Sequence, residues 1–143
     1  MILKYPAKIK FIAEDKAYLV EFPDLPGCLT EGGNIDTAKT NAKEALTGYL
    51  ASIFERNIRI PEPSALKGKN IYYIEPEPEV AVPMILRKFR EKKKLSQVDI
   101  AHELGISYQA YQRLERPGKS NPTIKTLERL AKVFDKDLRL EFA

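Results

Sequence analysis

The first third of the chain alternates between apolar and polar positions. The runs at 5–13 (YPAKIKFIA) and 17–22 (AYLVEF) are rich in β-branched and aromatic residues, and the EDK between them suits a hairpin turn. A third short strand fits 28–33 (CLTEGG). The period then lengthens. Ala38, Ala42, Ala45, Leu46, Tyr49, Leu50, Ile53 and Phe54 recur at the spacing of one buried helix face, while Lys39, Lys43, Glu44 and Ser52 fall on sides left to water. Asn34 is the predicted N-cap, since its side-chain oxygen can accept an amide left orphaned in the first turn. The stretch NIRIPEPSALKGKN ends the helix, and IYYIE (71–75) reads as a returning strand. The pattern predicts a β-β-β-α-β layer with one helix on a sheet.

EPEPEVAVP (75–83) carries three prolines with acidic spacers, and predicts an extended, semi-rigid connector. It divides the chain into 1–75, a linker at 76–83, and 84–143. The rear part reads as helical. MILRKFREKKK presents Ile85, Leu86 and Phe89 on one side and a cationic surface on the other. Ser96 caps a helix through QVDIAHEL that Gly105 ends; Ser107 caps a helix at 108–115; Thr123 caps another at 124–134 after the loop RPGKSNP. DLRLEFA alternates Leu138, Leu140 and Phe142 as a short terminal strand, which either docks on its own domain or pairs with a copy across a two-fold.

Composition narrows the classes. With 43% hydrophobic and 31% charged residues the 143-residue chain is an ordinary globular mixture. No apolar run approaches the roughly 20 residues that span a bilayer, and MILKYPAKIKF lacks the apolar core and cleavage site of a signal peptide. The expectation is a soluble, cytoplasmic chain with no membrane partner. One cysteine and one histidine make neither an internal disulfide nor a structural zinc site. The net charge of +4 is uneven: residues 1–83 hold ten Lys/Arg against twelve Asp/Glu (net −2), and residues 84–143 hold fourteen against eight (net +6). An acidic front and a basic back suggest two modules with different partners, the rear one nucleic acid.

A helix, a short turn with glycine, a second helix and basic flanks describe a helix-turn-helix. Ile100, Ala101, Leu104, Ile106, Ala110, Leu114, Leu127 and Leu130 supply its expected core, with Ala101 small enough for a close crossing. Tyr108, Gln109, Gln112 and Arg113 are then left facing outward. Gln can pair bidentately with adenine and Arg with guanine. Gln97 and Lys119 lie at helix and loop ends that would meet phosphates, where contacts position rather than specify. The plainer alternative is a helical interaction module with a solvated polar face. The segment LSQVDIAHELGISYQAYQRLERPGKSNPTIKTLERLAKVF closely resembles the DNA-binding domain of Cro/CI-type (XRE) repressors, over residues 84–137. The resemblance implies a structural ion pair between Arg90 and Glu115 and phosphate contacts from Lys119 and Asn121, although Pro117 adds one residue before Gly118. The DNA-binding set is Gln97, Ser107, Tyr108, Gln109, Gln112, Arg113, Lys119 and Asn121.

EFPDLPGC (21–28) gathers two carboxylates and the only cysteine. A hydrolytic metal site needs three or four converging carboxylates, and Glu21, Asp24 and Glu31 gain no further inward acid. A cysteine nucleophile needs a basic partner, and the lone His102 lies in the other half, where it reads as a solvated helix position. Cys28 reads as a small apolar strand residue. No catalytic residue, metal site or cofactor is expected. Pro23, Pro26 and Gly27 instead make a turn that keeps Phe22 in the core and exposes Asp24 and Leu25 at a rim.

YLVEFPDLPGCLTEGGNIDTAKTNAKEALTGYL, followed by IPEPS, resembles the N-terminal domain of HicB-family antitoxins over residues 4–75. One departure is Asn34-Ile35-Asp36-Thr37 at the helix start. The resemblance implies an α+β chain: a degenerate ribonuclease-H-like β-β-β-α-β domain that has lost its catalytic carboxylates, then an all-α helix-turn-helix domain. It also implies a non-enzymatic antitoxin. The front domain would cover a small, basic, mRNA-cleaving HicA-type toxin, with Asp24, Leu25, Pro26 and Glu31 as candidate contacts. The rear domain would repress its own operon on palindromic double-stranded DNA. One recognition helix reads too few base pairs, and repressors place two across half-sites about 34 Å apart, so a homodimer or tetramer is expected. Two alternatives stand beside this: a ligand-responsive transcriptional regulator without a toxin partner, which needs a concave polar pocket not evident in 1–75, and a nuclease, for which the acids are missing.

Overall fold

The alternating runs fold as β1 (Tyr5–Ile12) and β2 (Ala17–Glu21), followed by β3 (Leu29–Gly32), helix α1 (Ile35–Glu55) and β4 (Ile71–Ile74). A computed structural model describes all 143 residues, and the chain divides into Met1–Ala81 and Val82–Ala143. In the front unit the sheet order is β3-β2-β1-β4, with every neighbouring pair antiparallel. Tyr5, Ala7, Ile9 and Val20 on the strands and Ala38, Ala42, Leu46, Leu50 and Ile53 on α1 are buried, so the helix covers one face of the sheet. Each fully buried leucine on that face stabilises the unit by about 1.5–3 kcal/mol. Asn34 caps α1, accepting from the Thr37 amide at 2.8 Å. Helix and sheet meet closely at Gly32, where a Cβ would stand 2.4 Å from the Ala38 nitrogen.

Helix α2 (Pro78–Lys92) begins in the last residues of the front unit and continues into the rear one, where α3 (Gln97–Leu104), α4 (Tyr108–Leu114) and α5 (Ile124–Val133) follow it. Leu86, Ile100, Ala101, Leu104, Tyr111, Leu130 and Phe134 form the core. Four expectations are corrected here. Residues 78–83 are not an extended connector but the start of α2. Pro78 takes the first helical position, where its missing amide would have had no partner anyway. The carbonyl of Glu77 accepts from Val80 and Ala81, both at 2.9 Å. Val80, Pro83 and Met84, spaced along one helix face, are buried, which offsets the hydrogen bond lost at Pro83. Residues 137–143 form no strand within the chain, because no neighbouring strand is there to accept their backbone. Ala110 is exposed, and the buried position on α4 belongs to Tyr111, one residue and about 100° around the helix. Leu25 is fully buried rather than at a rim.

Candidate functional site

The helix-turn-helix is built from local capping. Ser96 and Asp99 form a capping box, with Ser96 Oγ accepting from the Asp99 amide at 3.0 Å and Asp99 Oδ2 accepting from the Ser96 amide at 2.8 Å. These bonds to Ser96 hold the Asp99 carboxyl below its usual range. Gly105 closes α3 at φ +68, a left-handed conformation open to glycine, and the chain turns into α4 at Ser107, whose Oγ accepts from the Ala110 amide at 3.1 Å. Arg129 on α5 donates through Nη2 to the Leu104 carbonyl, tying the end of α3 to α5.

With Tyr111 turned inward, Tyr108, Gln109, Ala110, Gln112 and Arg113 are all exposed on α4. Gln112 Nε2 donates to the Tyr108 hydroxyl at 3.4 Å, one turn away. Ala110 joins this face as an apolar spot, the kind of group that packs on a thymine methyl. Lys119 and Asn121 are exposed on the loop after α4, where Gly118 takes φ +77 and the Lys119 and Ser120 amides both donate to the Arg116 carbonyl at 3.0 Å. Gln97 is half-buried, and its Nε2 donates one hydrogen to Glu115 Oε1 at 3.2 Å, which leaves the second amide hydrogen for another acceptor. Arg90 meets the buried Glu115 through two bonds, Nε to Oε2 at 2.7 Å and Nη2 to Oε1 at 3.0 Å, and its Nη1 donates to the Leu95 carbonyl at 2.9 Å. The bond to Glu115 raises the Arg90 pKa further, and burial pushes the Tyr111 hydroxyl upward beside the same carboxylate.

In the front unit the turn at 22–28 is closed by its own backbone: the Leu25 amide donates to Phe22 and the Cys28 amide to Leu25, both at 3.0 Å, and Gly27 takes φ +86. Asp24 is already engaged. Its carboxylate accepts from the Ser64 amide at 2.8 Å and from the Ser64 hydroxyl, stapling the IPEPS segment to the turn. The Tyr5 hydroxyl holds the same segment, donating to the Pro61 carbonyl at 2.7 Å. Pro26 is exposed, with its carbonyl accepting from the Tyr49 hydroxyl at 2.8 Å, and the Glu31 carbonyl accepts from Asn41 Nδ2 at 2.8 Å. Burial pushes the Cys28 thiol up to about 11, so it stays a neutral core group. A groove of about 580 Å³ runs beside β3, lined by Cys28, Thr30, Asn41, Glu44, Tyr49 and Ser52.

Of the toxin contacts expected from the sequence, Glu31 alone lies on the sheet face away from α1. The pairings align Lys8, Glu21 and Leu29 in one row and Lys10, Leu19 and Glu31 in the next, and all six side chains are exposed. Leu19 and Leu29, 41% and 58% exposed, take diagonal positions on β2 and β3, with Lys10 and Glu31 opposite the first and Glu21 opposite the second. The signal was present in the sequence, since strict alternation with Val20 and Gly32 inward sends Leu19, Leu29 and Glu31 outward.

The family described as "HicB_like antitoxin of bacterial toxin-antitoxin system" matches residues 4–75, and a "Helix-turn-helix" family matches residues 86–140. "Antitoxin HicB" of Escherichia coli (strain K12) is 30% identical over 138 residues, covering 96% of this chain and 98% of that one. "Antitoxin HicB 1" of Photorhabdus laumondii is 30% identical over 112 residues, covering 78% of this chain and 70% of its own. A chain of a "Toxin-Antitoxin complex from Streptococcus pneumoniae" is a distant likeness, with TM-score 0.44 and 19% identity over 73% of this chain and 97% of that one. The chain belongs to the HicB-like antitoxin family and carries a helix-turn-helix domain behind its HicB-like domain.

Proposed function

We propose that this antitoxin neutralises a small, basic, mRNA-cleaving toxin of the HicA type by masking it, without chemistry of its own, and represses its own operon as a cytoplasmic dimer or tetramer on operator DNA. The observation that carries the reading is the pairing, along one chain, of a HicB-like unit with a helix-turn-helix domain whose α4 leaves Tyr108, Gln109, Gln112 and Arg113 exposed. Toxin contact falls to the open sheet face, where Leu19, Leu29 and Glu31 are exposed, and to Pro26, exposed on the turn between β2 and β3. Leu25 is too buried to contribute, and Asp24 acts by holding Ser64. The front half's net charge of −2 suits a cationic partner, steering encounter more than fixing affinity. On DNA, Tyr108, Gln109, Gln112 and Arg113 read bases in the major groove, while Gln97, Ser107, Lys119 and Asn121 position the unit on phosphates.

The test is to purify the chain with the small basic protein encoded beside it, and to assay RNA cleavage and binding to the operon's promoter. Equimolar antitoxin should abolish cleavage. Arg113→Ala should leave that untouched, yet weaken operator binding about five- to hundredfold more than random-DNA binding. Cleavage that persists at saturating antitoxin would reject the masking role, and equal loss on both DNAs would reject Arg113 as a base reader.

A further inference from the structure

Strand β3 stands at the end of the sheet, paired on one side only. The Phe22 amide donates to the Cys28 carbonyl at 3.3 Å, which makes these two residues a hydrogen-bonded pair. Bonded and non-bonded pairs alternate along antiparallel strands, so Val20 and Thr30 are bonded, while Glu21 with Leu29 and Leu19 with Glu31 are not. The backbone groups of Leu29 and Glu31 therefore point away from β2. There the Glu31 carbonyl is met by Asn41 Nδ2 at 2.8 Å, and the Leu29 amide, the Leu29 carbonyl and the Glu31 amide meet nothing.

The groove of about 580 Å³ runs along this edge, and one stripe of α1, through Asn41, Glu44, Gly48 and Ser52, forms its other wall. Gly48 is exposed in the middle of that 21-residue helix. Glycine is among the poorest helix formers, and packing within the chain does not call for it here, because an added Cβ would meet nothing within 4 Å. What the missing side chain does is leave room in the groove. No lysine or arginine lines that groove, and the carboxylate of Glu44 is exposed in it.

We infer that an extended segment of the toxin adds to this edge as a fifth strand, bonding to the main chain of Leu29 and Glu31. The inference rests on the masking reading and carries its contact from the open sheet face round to the edge. In strand addition the main-chain bonds give affinity, and alternate side chains choose the partner. Residues opposite Leu29 and Glu31 share the open face, so an apolar side chain suits the first and Lys or Arg the second. The residue between them points to the α1 side. There Gly48 leaves space and Glu44 offers a counter-charge, so a second basic side chain fits. An apolar-basic-basic run is what a small, basic partner can supply. Its docking would also cover unpaired backbone that is otherwise open to any passing strand.

The test uses the full-length chain and the small basic protein encoded beside it. Hydrogen exchange should find the Leu29 and Glu31 amides open in the antitoxin alone and slowed about tenfold or more in the complex. Gly48→Gln should raise the melting temperature of the front unit by about 2–5 °C, since glutamine is the better helix former. The same variant should weaken toxin binding about tenfold, by filling the room that the added strand needs. Gly48→Ala, with only a methyl group, should gain comparable stability and bind within about threefold of the parent. Lost binding together with gained stability is not the mark of a folding defect. If cleavage is still abolished, amides that stay open in the complex, or a Gly48→Gln chain that binds as tightly as its parent, overturn the inference and leave the masking reading standing. Protection of the same amides in the antitoxin alone as its concentration rises would assign the edge to a second copy and overturn it as well. A chain that binds no toxin rejects the masking reading, and this inference with it.

Discussion

Arg90 and Glu115 meet in the rear unit with 14% and 1% of their side chains exposed. A charge so little hydrated persists only because its partner supplies what water would have supplied. Glu115 receives two bonds from Arg90 and one from Gln97, which fills most of its acceptor capacity. Glu115→Ala leaves the Arg90 guanidinium half-stranded, still held at Leu95 but without its counter-charge. The expected loss is about 3–5 kcal/mol of rear-unit stability, read by urea denaturation. A loss below about 1 kcal/mol would show that the pair is as well solvated as a surface ion pair. Gln97 should then also lose its orientation, so the same variant is expected to bind operator poorly even below its unfolding transition.

Between elements the tightest approach is β3 on α1. Gly32 has ordinary backbone angles, so space and not conformation requires glycine there. A Cβ would lie 2.4 Å from the Ala38 nitrogen, 2.7 Å from its Cα and 2.9 Å from the Thr37 carbonyl carbon, all backbone atoms that cannot rotate away. Gly32→Ala must push the first turn of α1 off the sheet, at about 1–3 kcal/mol. The front unit should melt roughly 5–20 °C lower. Gly33→Ala, with nothing within 4 Å, should melt near the parent; equal melting of both variants would mean that the helix is free to lift. Elements governed by short-range chemistry were legible in the sequence for the same kind of reason. Asn34, Ser96, Ser107 and Thr123 each cap the helix they precede, because the acceptor and the orphan amide lie three residues apart. What was not legible depends on distant partners. Asp24 meets Ser64 from forty residues away. Leu25 is buried by surroundings that a turn motif does not encode. The prolines of 76–83 predict an extended connector, although Pro78 stands at the first helical position, where a helix tolerates it. The arm's alternation was readable, but a strand requires a neighbour that one chain does not contain.

Across the whole molecule the charge is uneven, net −2 over residues 1–83 and +6 over 84–143, as expected of two modules with different partners. Contact with DNA phosphate releases condensed counterions, so operator affinity should fall steeply with salt, by about 0.9 log unit per log unit of salt for each phosphate neutralised. A symmetric dimer doubles every contact. Lys119 stands exposed on the loop after α4, outside that helix. Lys119→Ala should therefore flatten the log–log salt slope of operator binding by about 1.8, twice the single-contact value, and weaken operator and random DNA alike. A change near 0.9 would mean that only one protomer's loop meets the backbone, which contradicts a two-fold complex on a palindromic site. No change in slope would remove Lys119 from the phosphate contacts and shift the loop's role to its neighbour Asn121. Neutralisation of the toxin should keep its own, shallower salt dependence in the same variant, because the lysine lies in the unit that the toxin-docking reading leaves untouched.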